Sequence, residues 1–131
     1  MPDIDVLALL TATAAAFVAS GVYYAMLGNQ LATANATESD RGTSTPPWAI
    51  AVEVVRNLVV AAVAAGLAVE FGLDDWSSGV LLGLALWTGF PVVLWVGAVV
   101  HERTPVRLAA IHSGDWLIKL LIVTTIAAAW R

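Results

Sequence analysis

The chain contains no cysteine. That absence excludes a disulfide framework and a thiolate metal site, and it leaves the redox compartment unread. Charge is scarce as well: Asp, Glu, Lys and Arg make up 12% of the 131 residues, and six basic residues face ten acidic ones for a net charge of −4. No cluster of Lys or Arg exists to meet a phosphate backbone, so nucleic acid is excluded as a partner. Familiar catalytic signatures are missing too. There is no HExxH, serine elbow, Walker loop, acidic pair at phosphate-transfer spacing or cysteine nucleophile. His101 with Glu102, or His112 with Asp115, supply two ligands each, too few for a metal centre. No motif asks for a cofactor, and the balance leans away from an enzyme.

What is abundant is apolar sequence: 60% of the residues are hydrophobic, and the mean hydropathy is +0.83. Four windows are long enough to cross a bilayer, at residues 4–27, 48–70, 78–100 and 106–130. They take up most of the chain and leave no room for a soluble catalytic domain. The expected fold is therefore all-α, a polytopic membrane protein forming one domain over residues 1–131, built as a four-transmembrane-helix bundle with a kinked third helix. The start, Met1-Pro2-Asp3-Ile4-Asp5, lacks the basic region of a secretory signal and runs straight into a full-length span, so the first span is read as retained.

In the first span Asp3 or Asp5 can cap free backbone N–H groups, and Ala12, Ala16 and Ser20 form a small-residue stripe for close helix packing. Tyr23 and Tyr24 fall near its exit, where they read as interfacial anchors. Residues 28–47 form a polar loop without apolar periodicity; Asn35-Ala36-Thr37 within it matches a glycosylation acceptor. Thr45-Pro46-Pro47 and Thr104-Pro105 are helix-start signals, a hydroxyl cap followed by proline, ahead of the second and fourth spans. Gly79 and Gly83 prepare the third span for close packing. Pro91 kinks it and frees the Trp87 carbonyl.

The second and fourth spans hold the polar groups. Glu53, Arg56 and Asn57 share one face of the second, and His112, Asp115 and Lys119 lie within about 60° of one another on the fourth. Depth can be counted at about 1.5 Å per residue from Pro47 and Pro105. Glu53 comes to about 9 Å and Arg56 to about 14 Å, against about 11 Å for His112, 15 Å for Asp115 and 21 Å for Lys119. Equal depth predicts that Arg56 meets Asp115 and that Glu53 meets His112. Lys119, with Asp115 one turn back, is expected beside the Pro91 kink, where the Trp87 carbonyl and Thr88 hydroxyl offer acceptors and Trp95 is a further neighbour. Because each of these spans carries an acid followed by a base, a parallel two-plus-two repeat is also suggested.

Ionisable groups at membrane depth are costly and turn inward, pair, and often mark a functional pathway. Glu53, Arg56, Asn57, His112, Asp115 and Lys119 are therefore the candidate binding or relay residues. The first reading is binding or translocation of a proton, ion or small polar solute. The alternative is a structural or accessory membrane subunit whose ion pairs only fix helix packing or grip a partner. An intramembrane enzyme acting on lipid, with His112 as base, is the third. The expected partners are the lipid bilayer and further copies of the chain in a homo-oligomer. Arg41, Arg103 and Arg107 outnumber Arg131 across the membrane, so both termini are expected outside the plasma membrane and the 28–47 loop in the cytoplasm.

The order of features is also familiar: Gly21-Val22-Tyr23-Tyr24-Ala25-Met26-Leu27-Gly28 ending the first span, GVLLGLALWTGF over residues 79–90, His101-Glu102-Arg103-Thr104-Pro105, and Ala129-Trp130 at the close. Over almost its whole length the chain resembles the bacterial membrane proteins of the domain of unknown function 1761 family. In that family a Gly-x-Trp-Tyr segment ends helix one and a Glu-x-Arg-Pro-like turn precedes helix four. Here Tyr23 stands in place of tryptophan and Thr104 interrupts the Arg-Pro step. The resemblance implies a four-helix integral membrane protein with no established activity, and it supplies no catalytic residues.

Overall fold

The structure is a computed structural model that describes residues 4–28 and 46–130. Residues 29–45 of the expected polar loop, with its glycosylation triplet, Arg41 and Thr45, and also Asp3 and Arg131, lie outside the described residues. The helices are α1 (Val6–Met26), α2 (Pro47–Glu70), α3 (Trp76–Gly89), α4 (Pro91–His101) and α5 (Val106–Ala129), and no strand occurs among the described residues. α3 and α4 are the two halves of one kinked span. The break falls at Phe90, which caps both, because Pro91 has no N–H to continue the ladder.

The ends follow local chemistry. Asp5 accepts a hydrogen bond from the Ala8 N–H at 3.1 Å and starts α1. At the start of α2 and α5 the cap residues are Pro46 and Pro105 themselves, without a side-chain cap bond, so Thr104 does not play the expected capping part. α2 ends in a Schellman turn: Gly72 takes φ +66°, its N–H donates to the Val69 carbonyl, and the Leu73 N–H donates to that of Ala68. The Ser77 and Ser78 hydroxyls then donate to the Asp75 carboxylate at the head of α3.

The other three spans pack around α5, which lies against each of the other helices. α1 also packs on α2, whereas α2 makes no comparable contact with α3 or α4 among the described residues. A furrow is thus left between α2 and the kinked span, with α5 as its floor. The interior is built from small side chains, with Ala12, Ala16, Ala61, Ala64 and Val123 forming one cluster. Large apolar side chains such as Val18, Val55, Leu81 and Leu94 face outward. Small residues inside and large ones outside is the arrangement of helices that associate in lipid, where close backbone approach replaces the hydrophobic drive.

Among the described residues, three helices are long and apolar enough to cross a membrane: Val6–Met26, Pro47–Glu70 and the combined Trp76–His101. α5, the fourth expected span, is long enough but more polar, since it carries the buried Asp115 and Lys119. Its polar face is turned to the other helices rather than outward. The glycine pair of α3 works as its spacing suggests. A Cβ added to Gly79 would lie 2.6 Å from the Thr124 carbonyl oxygen, and one on Gly83 would lie 2.6 Å from the Thr124 hydroxyl. Only a bare backbone allows α3 to come so close to α5.

Gly79→Ala is therefore expected to force these helices apart and to lower stability by about 1–3 kcal/mol. Gly97→Ala, where an added Cβ has nothing within 4 Å, is expected to change it by less than about 0.5 kcal/mol. Denaturant titration in detergent, followed by circular dichroism, reads both.

Candidate functional site

The polar groups meet near the end of the bundle where α2 and α5 begin and α1 ends. Their centre is the Lys119 ammonium. It donates to Glu53 Oε1 at 2.8 Å and lies 3.1 Å from Asp115 Oδ2. Both α5 residues are buried, at 3% and 2% exposure. Asp115 Oδ1 accepts a 2.6 Å hydrogen bond from the Ser20 hydroxyl of α1. Three helices are thereby tied together by one ammonium and two carboxylates. The Lys119 ammonium also lies 5.1 Å from the centre of the Trp116 ring, within cation–π range.

Two expected pairings are not formed. Arg56 does not meet Asp115: its Nη1 donates to Glu53 Oε2 at 2.8 Å along its own helix, and its side chain is 53% exposed. Glu53 does not meet His112. His112 Nδ1 instead lies 2.6 Å from the Tyr24 hydroxyl as its hydrogen-bond partner, and the imidazole stacks on Trp95 with centroids 5.0 Å apart. The reason is geometric. Side chains on a helix lean toward its N-terminus, so the long lysine carries its charge a turn below its own Cα and reaches Asp115 and Glu53 first.

Lys119 likewise does not use the kink. The Thr88 hydroxyl donates back to the Leu84 carbonyl and the Trp87 indole N–H donates to that of Ser113 on α5. Two carboxylates outcompete such neutral acceptors for an ammonium, because charge-assisted hydrogen bonds are the stronger kind. Asn57 is buried at 2% exposure one turn beyond Glu53, and its amide nitrogen has no hydrogen-bond partner among the described residues.

Sequence reading missed Ser20, both tyrosines and Trp116 as members of the site. Tyr23 and Tyr24 are not mere anchors. The Tyr23 hydroxyl donates to the Ile111 carbonyl at 2.7 Å and packs against Gly114, where no side chain blocks it. Counting the first span's depth from its own exit places Ser20 at about 10 Å at 1.5 Å per residue, level with Glu53 and His112 and about one turn from Asp115.

Beside the cluster is a cavity of about 590 Å³ to which α1, α2, α4 and α5 all contribute. Ser20, Tyr24, Glu53, Arg56, His112, Asp115 and Lys119 line it together with Phe17, Trp95 and Trp116. The inner part of this polar set is closed, with every charge of Lys119 and Asp115 answered. Toward the cavity it is looser: Arg56 has half of its side chain exposed, and the Glu53 side chain retains 29%. Donors, acceptors and an imidazole–phenol pair there face common space.

Among the described residues, three apolar helices of membrane-spanning length and an inward-facing charged cluster define a helical bundle of membrane-like composition with a polar interior. Within that class, the chain belongs to the DUF1761 family, described as protein of unknown function, whose sequence profile matches residues 7–128. No curated protein and no solved structure matches the chain.

Lys119→Met leaves Asp115 buried with only Ser20, and is expected to lower stability by about 3–5 kcal/mol. The pair Lys119→Met with Asp115→Leu removes both buried charges and leaves Glu53 on Arg56. It is expected to recover a large part of that loss, so a double-mutant cycle on unfolding in detergent should show strong non-additivity.

Proposed function

We propose that this chain binds a proton, an ion or a small polar solute in the cavity beside Lys119, within the membrane. One observation carries the reading: an apolar bundle keeps a space of about 590 Å³ into which Glu53, Arg56, His112, Asp115 and Lys119 all project. Packing alone favours filling such a space with apolar side chains, since buried ion pairs often fail to recover their desolvation cost. Convergent polar groups around a preformed cavity are the ordinary mark of a ligand site.

Binding is favoured over passage through the bundle. Farther along the axis from Lys119 the interior is filled by Ala12, Ala16, Ala61, Ala64 and Val123, an apolar plug. The cavity reaches Ala49 and Ile50 in the first turn of α2, so its mouth lies at that membrane edge. The arginine bias assigns that edge to the cytoplasmic side of the cell membrane.

The structural reading has its own observation in the closed inner triad of Ser20, Asp115 and Lys119, which ties α1 to α5. The two readings apply to different halves of the cluster. The inner half holds helices together, and the outer half, with Arg56, Tyr24 and His112, addresses the cavity.

Because the natural chain has no cysteine, a single introduced thiol reports water access directly. Gly21 lines the cavity and has nothing within 4 Å of an added Cβ, while its neighbour Val22 is exposed on the outside of the bundle. A water-soluble thiol reagent is expected to label Gly21→Cys at least about tenfold faster than Val22→Cys, since a thiol in apolar surroundings loses its reactive thiolate. Equal rates in liposomes would overturn the reading.

A further inference from the structure

The polar cavity has an apolar neighbour. A second, apolar cavity of about 330 Å³ is lined by Val59, Val63, Leu86, Phe90 and Leu94, among others, and Trp95 and Trp116 line both spaces. The two follow the furrow between α2 and the kinked span, with α5 beneath. Along α2 the polar cavity is lined by residues 49, 50, 53 and 56 and the apolar one by residues 59, 60, 63 and 64. Along α5 the polar cavity is lined by His112, Asp115 and Lys119 and the apolar one by Leu120, with Trp116 on both. Polarity therefore falls steadily from the membrane edge inward. That is the profile of a lipid molecule lying in its leaflet.

We propose that the two spaces are one site for an amphiphile with an anionic head, a carboxylate or phosphate, on a hydrocarbon chain. The proposal rests on the reading of the polar cavity as a ligand site and names the class of ligand. The head is held by Arg56 at the outer space and the chain lies in the furrow past Trp95 and Trp116. From Ala49 to Ala64 the two spaces follow α2 for about 22 Å at 1.5 Å per residue, most of the hydrocarbon thickness and far longer than a small solute needs.

Charge pairing within the cluster supports an anionic head. Glu53 has two cationic partners, Arg56 on Oε2 and Lys119 on Oε1. Arg56 can therefore turn to a ligand anion without leaving Glu53 unpaired. Its half-exposed side chain has the freedom to do so, and a guanidinium can take a carboxylate or phosphate through two parallel N–H bonds. Lys119 has no such freedom, being buried between two carboxylates. Above the chain, Phe90, displaced outward at the break before Pro91, and Leu94 form the lip of the furrow.

The two shared tryptophans provide the assay, because bromine atoms on an acyl chain quench indole fluorescence on contact. In a variant retaining only Trp95 and Trp116, with the other tryptophans changed to phenylalanine, brominated oleic acid is expected to quench saturably in detergent. A brominated uncharged acylglycerol with the same chain is expected to quench only weakly. Arg56→Gln is expected to weaken the acid's binding by about tenfold or more, the loss of a charge-assisted pair. Val59→Phe with Val63→Phe, which fills the furrow from exposed positions, should weaken it comparably, with helix content checked by circular dichroism. Oleate and a lysophosphatidate as competitors show which head is preferred, and competition by either supports the site.

Equal quenching by the uncharged lipid, or indifference to Arg56→Gln, would overturn the proposal. So would competition by acetate or inorganic phosphate as strong as that of the long-chain acids; the cavity would then serve a small solute, and the broader reading would stand. Labelling of Gly21→Cys without saturable quenching by the acid sinks the amphiphile alone, whereas failure of the labelling sinks both.

Discussion

The structure depends on one ammonium shared by two carboxylates. Moving an isolated charge from water into an apolar interior costs several kcal/mol, and Lys119, Asp115 and Glu53 meet that cost only collectively. The ammonium answers both acids, Ser20 takes one remaining oxygen of Asp115, and Arg56 takes the remaining oxygen of Glu53. Removing Lys119 strands Asp115, whose remaining partner is the Ser20 hydroxyl. The same contacts join α1, α2 and α5 at one end of the bundle, and they set the rotation of α5 that brings His112 to Tyr24 and Trp95. The arrangement of the cavity follows from that rotation.

At the opposite side of α5, closeness replaces charge. Gly79 and Gly83 bring α3 onto the backbone of α5 at Thr124, and Ala12, Ala16, Ala61 and Ala64 bring the other helices in. Side chains this small leave little freedom in the spacing of helices. The kinked span is held firmly to α5 along α3, yet it diverges from α2 and leaves the furrow open. One element therefore serves two ends: glycine packing fixes its first half, and the proline break turns its second half, with Trp95, toward the polar groups.

Much of the fold is legible in the sequence. Apolar windows give the spans, Pro91 gives the break, and the spacing of Gly79 and Gly83, or of Ala12, Ala16 and Ser20, gives the faces that pack. The gathering of the polar groups of α2 and α5 toward one end of the bundle also follows from their depth. Partner choice does not. Depth counted along Cα atoms ignores the reach of a lysine, which carries its charge most of a turn toward the helix start. It also treats the acids and bases as free to cross between helices, whereas Arg56 finds Glu53 on its own helix. Tyr24 was hidden by a plausible second explanation, since tyrosine at a span's end has a reason to be there without any partner. The cavity itself is invisible in sequence, because it arises from a contact that α2 and the kinked span do not make.

The central position of α5 bears on how the molecule is made. A helix carrying Asp115, Lys119 and His112 partitions poorly into lipid by itself, and it is synthesised after the three apolar spans that surround it. Ser20 and Glu53, the partners of its ion pair, both lie on helices that precede it in the chain. Translation order thus matches the order of need: the apolar scaffold comes first, and the charged keystone arrives once there is a shelter to receive it.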